Sequence, residues 1–124
     1  MNTDQLAPFD SQRYLNLESY RKSGKPVQTP VWFAEDDRVF YIYSLADAVK
    51  VKRIRNNPRV RIAPCDVRGR LKGDWAEAEA RIEDGAGTER GHRLLDQKYG
   101  LMKKLGNLFS KILKRQRVVI SIRA

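Results

Sequence analysis

One cysteine, one histidine and no long apolar run set limits on what this chain of 124 residues does. A lone Cys65 closes no internal disulfide, which fits a reducing compartment. Cys65 and His92 together do not make a conventional metal site, and no Ser/His/Asp or Cys/His arrangement is visible. No segment approaches the roughly 18–20 apolar residues that span a bilayer. The opening MNTDQLAPFD is polar and acidic, unlike the basic and then apolar pattern of a secretory signal. These absences predict a cytoplasmic protein, and the length fits a single domain over residues 1–124. Nothing in the sequence looks like a dedicated general acid or base, which is compatible with chemistry carried by a bound cofactor.

Acidic residues are missing after Asp96, while Lys98, Lys103, Lys104, Lys111, Lys114, Arg115, Arg117 and Arg123 remain. The formal net charge is +10. A charge of that size calls for nucleic acid, an anionic membrane surface or a polyanionic small molecule as partner. The second basic concentration is internal: Lys50–Arg61 holds six Lys or Arg and no acid.

The element pattern is mainly β. Tyr14–Arg21 alternates Tyr14, Asn16, Glu18 and Tyr20 against Leu15, Leu17 and Ser19, which predicts a strand closed by the turn Lys22–Lys25. Val27–Ala34 and Arg38–Tyr43 flank Glu35-Asp36-Asp37 and read as a hairpin, with Pro30 marking an edge, a bulge or a bend. Ser44 and Asp47 form an S-x-x-D capping signal for a helix that should end near Asn56-Asn57, before Pro58. Val60–Cys65 returns as a strand. Within Leu71–Ile82, Ala76, Ala78, Ala80 and Ile82 alternate with Glu77, Glu79 and Arg81, predicting a half-buried strand. Thr88–Tyr99 reads as a helix, Leu101–Leu113 as an amphipathic helical stretch, and Val118–Ile122 as a closing strand. About six antiparallel strands with two or three helices packed outside predict a small barrel, because the strand–helix–strand repeats of a parallel sheet are missing.

A strand ending in a hydroxyl and feeding a basic helix is a place to hold phosphate. Lys50 follows Ser44 by roughly 9 Å along the helix axis, and its side chain leans back toward the helix start. Lys50 and Arg53 share a face, while Val51 and Ile54 point to the core. The plainer alternative is that Ser44 caps and the cations are solvated. Trp32 is a candidate to line a ring-binding groove or to pack in the core, and Trp75 reads as structural or interfacial. The stripe Leu101, Leu105, Leu108 and Ile112 reads as a helix covering the barrel rather than as a membrane anchor.

Several blocks occur in a recognisable order: Gly24-Lys25-Pro26, Thr29-Pro30-Val31-Trp32-Phe33, Val49 to Val60 with its NNPRV ending, and Ala63-Pro64-Cys65. Together they resemble the pyridoxamine 5'-phosphate oxidase-like split-barrel flavoproteins, and within them the branch of oxidoreductases that use the deazaflavin coenzyme F420. The resemblance implies a split β-barrel homodimer with FMN or coenzyme F420 bound where the subunits meet. It implies hydride transfer to or from a small organic substrate. It also implies cofactor contacts at Ser44, Lys50, Lys52 and Arg53 for the phosphate and at Thr29, Pro30, Val31 and Trp32 for the ring. Val49 and Thr29 stand where the true oxidases carry arginine, which favours the deazaflavin branch over vitamin B6. The alternatives are a cofactor carrier without turnover and, with no recognised motif behind it, a basic nucleic-acid-binding domain.

Overall fold

The computed structural model describes residues 3–10, 12–45, 49–95, 97–98 and 117–124. A short 3-10 helix (Thr3–Phe9) leads into β1 (Tyr14–Tyr20), β2 (Pro26–Trp32), β3 (Ala34–Asp36) and β4 (Val39–Leu45). Helix α1 (Val49–Asn56), β5 (Arg59–Cys65) and β6 (Ala76–Ile82) follow. Residues 85–95 form a second helix, α2, and β7 (Arg117–Arg123) closes the chain. The expectations for Asp47 and for Leu101–Leu113 lie outside the described residues.

Among the described residues, seven strands join one antiparallel sheet in the order β2-β1-β5-β6-β7-β4-β3, bent into a half-barrel. The extra strand arises because the run expected as one strand over 27–34 changes partners at Phe33. Before it, β2 pairs with β1; after it, β3 pairs with β4, so one continuous run borders both edges of the sheet. Phe33 itself is buried in the core. Pro30 sits on edge strand β2, the position in a sheet where a residue without an N–H is tolerated. The β3–β4 hairpin turns through Asp37 and Arg38 at φ 53° and 66°, two successive left-handed residues as in a type I′ turn. The Arg38 N–H donates to Glu35 Oε2 at 3.0 Å, which secures that turn.

The concave face follows the alternation read from the sequence. Leu15, Leu17, Val60, Ile62, Ala76, Ala80, Phe40, Ile42, Ile120 and Ile122 are buried in one cluster. At one end the 3-10 helix inserts Phe9 against Phe33 and Phe40, with ring centroids 6.0 and 5.0 Å away. At the other, α1 lies against β1 and β6 and buries Val51 and Ile54. Each such side chain contributes about 1.5–3 kcal/mol on full burial.

Helix α2 covers the convex face of β7, β4 and β3. Gly91 makes the approach possible, since a Cβ there would lie 2.4 Å from Val119 Cγ1. Leu95 and Ala34 form a second buried cluster with Trp32, Tyr43 and Leu94 around them. An Arg90–Asp36 ion pair and a Tyr43–His92 hydrogen bond fasten the helix to the sheet. The helix starts at residue 85, earlier than Thr88, and Gly87 leaves room there for the Glu83 carboxylate, which accepts from Ser121 Oγ.

Candidate anion-binding site

Strand β1 ends by presenting two neighbouring residues to opposite faces. Ser19 follows Leu15 and Leu17 inward and is buried, while Tyr20 follows Glu18 outward. The chain then reverses through Arg21–Lys25, closed by the Arg21 N–H to Lys25 carbonyl bond at 3.0 Å. Gly24 takes φ 90°, a conformation that glycine adopts without penalty. This turn sets Arg21 and Lys22 beside α1.

Helix α1 answers with Val49, Lys52, Arg53 and Asn56, spaced i, i+3, i+4 and i+7, which share one face. These residues and Tyr20, Arg21 and Lys22 line a cleft of about 280 Å³. Four of the seven lining residues are cationic, and no lining residue is acidic among those described. Tyr20 and Val49 supply apolar wall, and Asn56 an amide. Arg53 Nε donates to Ser19 Oγ at 2.8 Å. Burial, and then the charge of Arg21, holds the Arg53 guanidinium below its ordinary pKa. Burial, and then Arg53, does the same to Lys50. Cations crowded in this way gain from any anion that enters between them.

Outward from the cleft, Glu18 is buried under three donors. Arg61 Nε lies 2.6 Å from Oε2, the Tyr20 hydroxyl 2.9 Å from it, and Gln28 Nε2 3.0 Å from Oε1. Strand register provides this, because Gln28 and Arg61 sit directly opposite Glu18 on β2 and β5. The Arg61 hydrogen bond, against the opposing effect of burial, brings the Glu18 carboxyl down to about 2. Arg61 also stacks over Trp75 at 5.0 Å, which places Trp75 in a packing role. The network ties the Tyr20 ring at the cleft wall to a fixed anion.

The residues singled out from the sequence are distributed unevenly around this cleft. Lys52 and Arg53 line it together. Lys50 lies on the flank of α1, outside the lining but within range of the Arg53 charge. Ser44 is buried in β4 and pairs with Val118; the strand continues through Leu45, so Ser44 does not open a helix. Thr29 and Val31 face the core opposite Leu17 and Leu15. Pro30 and Trp32 face outward, Trp32 with its ring centroid 6.5 Å from that of Tyr14. None of Thr29, Pro30, Val31, Trp32 or Ser44 lines the cleft.

Tyr20, Arg21, Lys22, Val49 and Asn56 are the lining residues that sequence reasoning missed. The helical spacing from Val49 to Asn56 carried part of that signal, and the Arg21-Lys22 pair in a glycine turn carried the rest. Burial pushes the Cys65 thiol up to about 11, and no group of three metal-binding side chains occurs among the described residues. No described helix is long and apolar enough to cross a membrane.

The fold recurs in solved structures. An F420 reductase superposes with a TM-score of 0.61 at 20% identity, covering 99% of this chain and 94% of that one. A FAD-binding protein from Mesorhizobium loti gives 0.64 at 18%, covering 98% and 88%. The heme storage protein HutZ from Vibrio cholerae gives 0.67 at 13%, covering 98% and 88%. At such identities the likeness establishes the architecture alone. No curated protein matches the sequence. The family model described as pyridoxamine 5'-phosphate oxidase matches residues 3–124, which is nearly the whole chain. On that match and this split barrel, the chain belongs to the pyridoxamine 5'-phosphate oxidase family.

Proposed function

We propose that this protein is an oxidoreductase that binds coenzyme F420, or failing that FMN, by its phosphate in the cleft between α1 and the β1–β2 turn. The observation that carries the reading is the cleft itself: Arg21, Lys22, Lys52 and Arg53 converge on it with no acidic lining residue among those described. Arginine forks match phosphate oxygens in pairs, and lysines add point charges. Asn56 offers an amide N–H, while Tyr20 and Val49 exclude water from one side. Lys50 reinforces the field from the flank. By the family resemblance, the backbone of Thr29-Pro30-Val31-Trp32 would seat the ring outside the cleft lining, and a second subunit would close the groove; Ser44, buried in β4, would act only through the strand that leads toward α1. When bound, the cofactor supplies hydride transfer to or from a small organic substrate. The chain contributes binding, orientation and water exclusion. A net charge of +10 suits the phosphate and polyglutamate tail of coenzyme F420 better than the single phosphate of FMN.

A second reading is a cofactor carrier without turnover; under either reading we take the protein to be a cytoplasmic homodimer. The same cleft serves the carrier, since Arg21, Lys22, Lys52 and Arg53 account for binding and not for turnover. The test is a pair of titrations of the purified protein with coenzyme F420 and with FMN, followed by addition of reductants and acceptors. Tight binding of either with turnover supports the oxidoreductase, and tight binding without turnover supports the carrier. Binding of neither removes both. Arg53→Ala and Lys50→Ala should weaken the cofactor that binds, by about 10- to 100-fold for Arg53 and less for Lys50.

A further inference from the structure

We infer that Ser19 is a positioning residue for anion binding, its hydroxyl fixing Arg53 without neutralising it; this rests on the cleft being a phosphate site. Ser19 occupies a core-facing place in line with Leu15 and Leu17, where an apolar side chain is the ordinary choice. It is 1% exposed, so its oxygen needs a partner inside the protein. That partner is Arg53 Nε at 2.8 Å. With Nε engaged, the guanidinium plane is set and the terminal nitrogens are left for the cleft that Arg53 lines.

The neighbouring residue makes the contrast. Glu18 gives Arg61 a carboxylate at 2.6 Å and cancels its charge. Ser19 gives Arg53 a neutral oxygen, and among the described residues Arg53 joins no ion pair. One strand end therefore treats two arginines differently, quenching one and aiming the other with its charge intact. The burial and the nearby Arg21 that depress the Arg53 pKa mark the same uncompensated charge. A pre-set arginine loses less rotamer freedom when an anion arrives.

The experiment titrates wild type, Ser19→Ala, Ser19→Cys, Arg53→Ala and the Ser19→Ala/Arg53→Ala double variant. The probes are coenzyme F420, FMN, riboflavin and inorganic pyrophosphate at one ionic strength. Ser19→Cys keeps the side-chain shape with a poor acceptor, so the proposal stays testable if the alanine variant fails to fold. Ser19→Ala and Ser19→Cys should each weaken the phosphate-bearing probes about tenfold and leave riboflavin unchanged. The double variant should be no weaker than Arg53→Ala alone. Wild-type affinity in the Ser19 variants, equal losses for riboflavin and FMN, or losses that add to that of Arg53→Ala would overturn the role. If pyrophosphate binds but neither cofactor does, the cofactor reading falls and Ser19 is judged on pyrophosphate alone. If wild type binds none of the anions, both readings fall.

Discussion

At the scale of single residues, Glu18 is held by three side-chain donors, Arg61, Tyr20 and Gln28. Its folded pKa of about 2 lies below the ordinary glutamate value of 4.5. The contribution to stability is therefore complete above about 4.5 and is lost as pH falls from there toward about 2. Glu18→Gln should lower the melting temperature at neutral pH by the equivalent of about 1–3 kcal/mol. It should also flatten the acid limb of a melting-temperature profile; an unchanged limb would mean that other carboxylates govern acid unfolding. The sequence placed Glu18 on the outward face of β1 with Tyr14, Asn16 and Tyr20, as observed. It did not disclose Arg61 as the partner, because that pairing depends on β5 returning beside β1, 43 residues later. Arg21 was hidden for a similar reason. A turn residue becomes part of a site only when a distant helix packs next to it.

At the scale of elements, periodicity was readable and partner choice was not. The alternation from Ala76 to Ile82 and the end of α1 at Asn56 follow from local sequence. The division of the run around Phe33 into two strands does not, since it reflects which edges of the sheet lie nearby. The charge pattern singles out Lys50, Lys52 and Arg53 alike, whereas the helical spacing of Val49, Lys52, Arg53 and Asn56 marks the face of α1 that meets the cleft. Helix α2 provides the clearest test of packing. Gly91→Ala places a methyl 2.4 Å from Val119 Cγ1, and helix and strand must separate to relieve it. A loss of about 1–3 kcal/mol in chemical denaturation is expected, and Gly91→Ala/Val119→Ala should recover part of it. A neutral Gly91→Ala would show that α2 docks less closely than described.

At the scale of the whole molecule, the formal charge of +10 separates the surviving functional classes by their response to salt. Cofactor binding at one cleft should lose less than about tenfold in affinity between about 50 and about 200 mM salt. A nucleic-acid interface neutralising several phosphates would lose about 10³–10⁵-fold. The measurement needs only the cofactor titration repeated at two salt concentrations and a fluorescent oligonucleotide in parallel.

The run from Pro26 to Asp36 is, mechanically, the stitch across an open seam. Because β2 borders one edge of the sheet and β3 the other, slack introduced at Phe33 is felt on both sides at once. Phe33→Ala should therefore speed amide exchange in β2 and β3 together, while β5 and β6 in the middle of the sheet keep their protection. Independent loosening of only one border would mean that the seam is held shut by something other than its own thread.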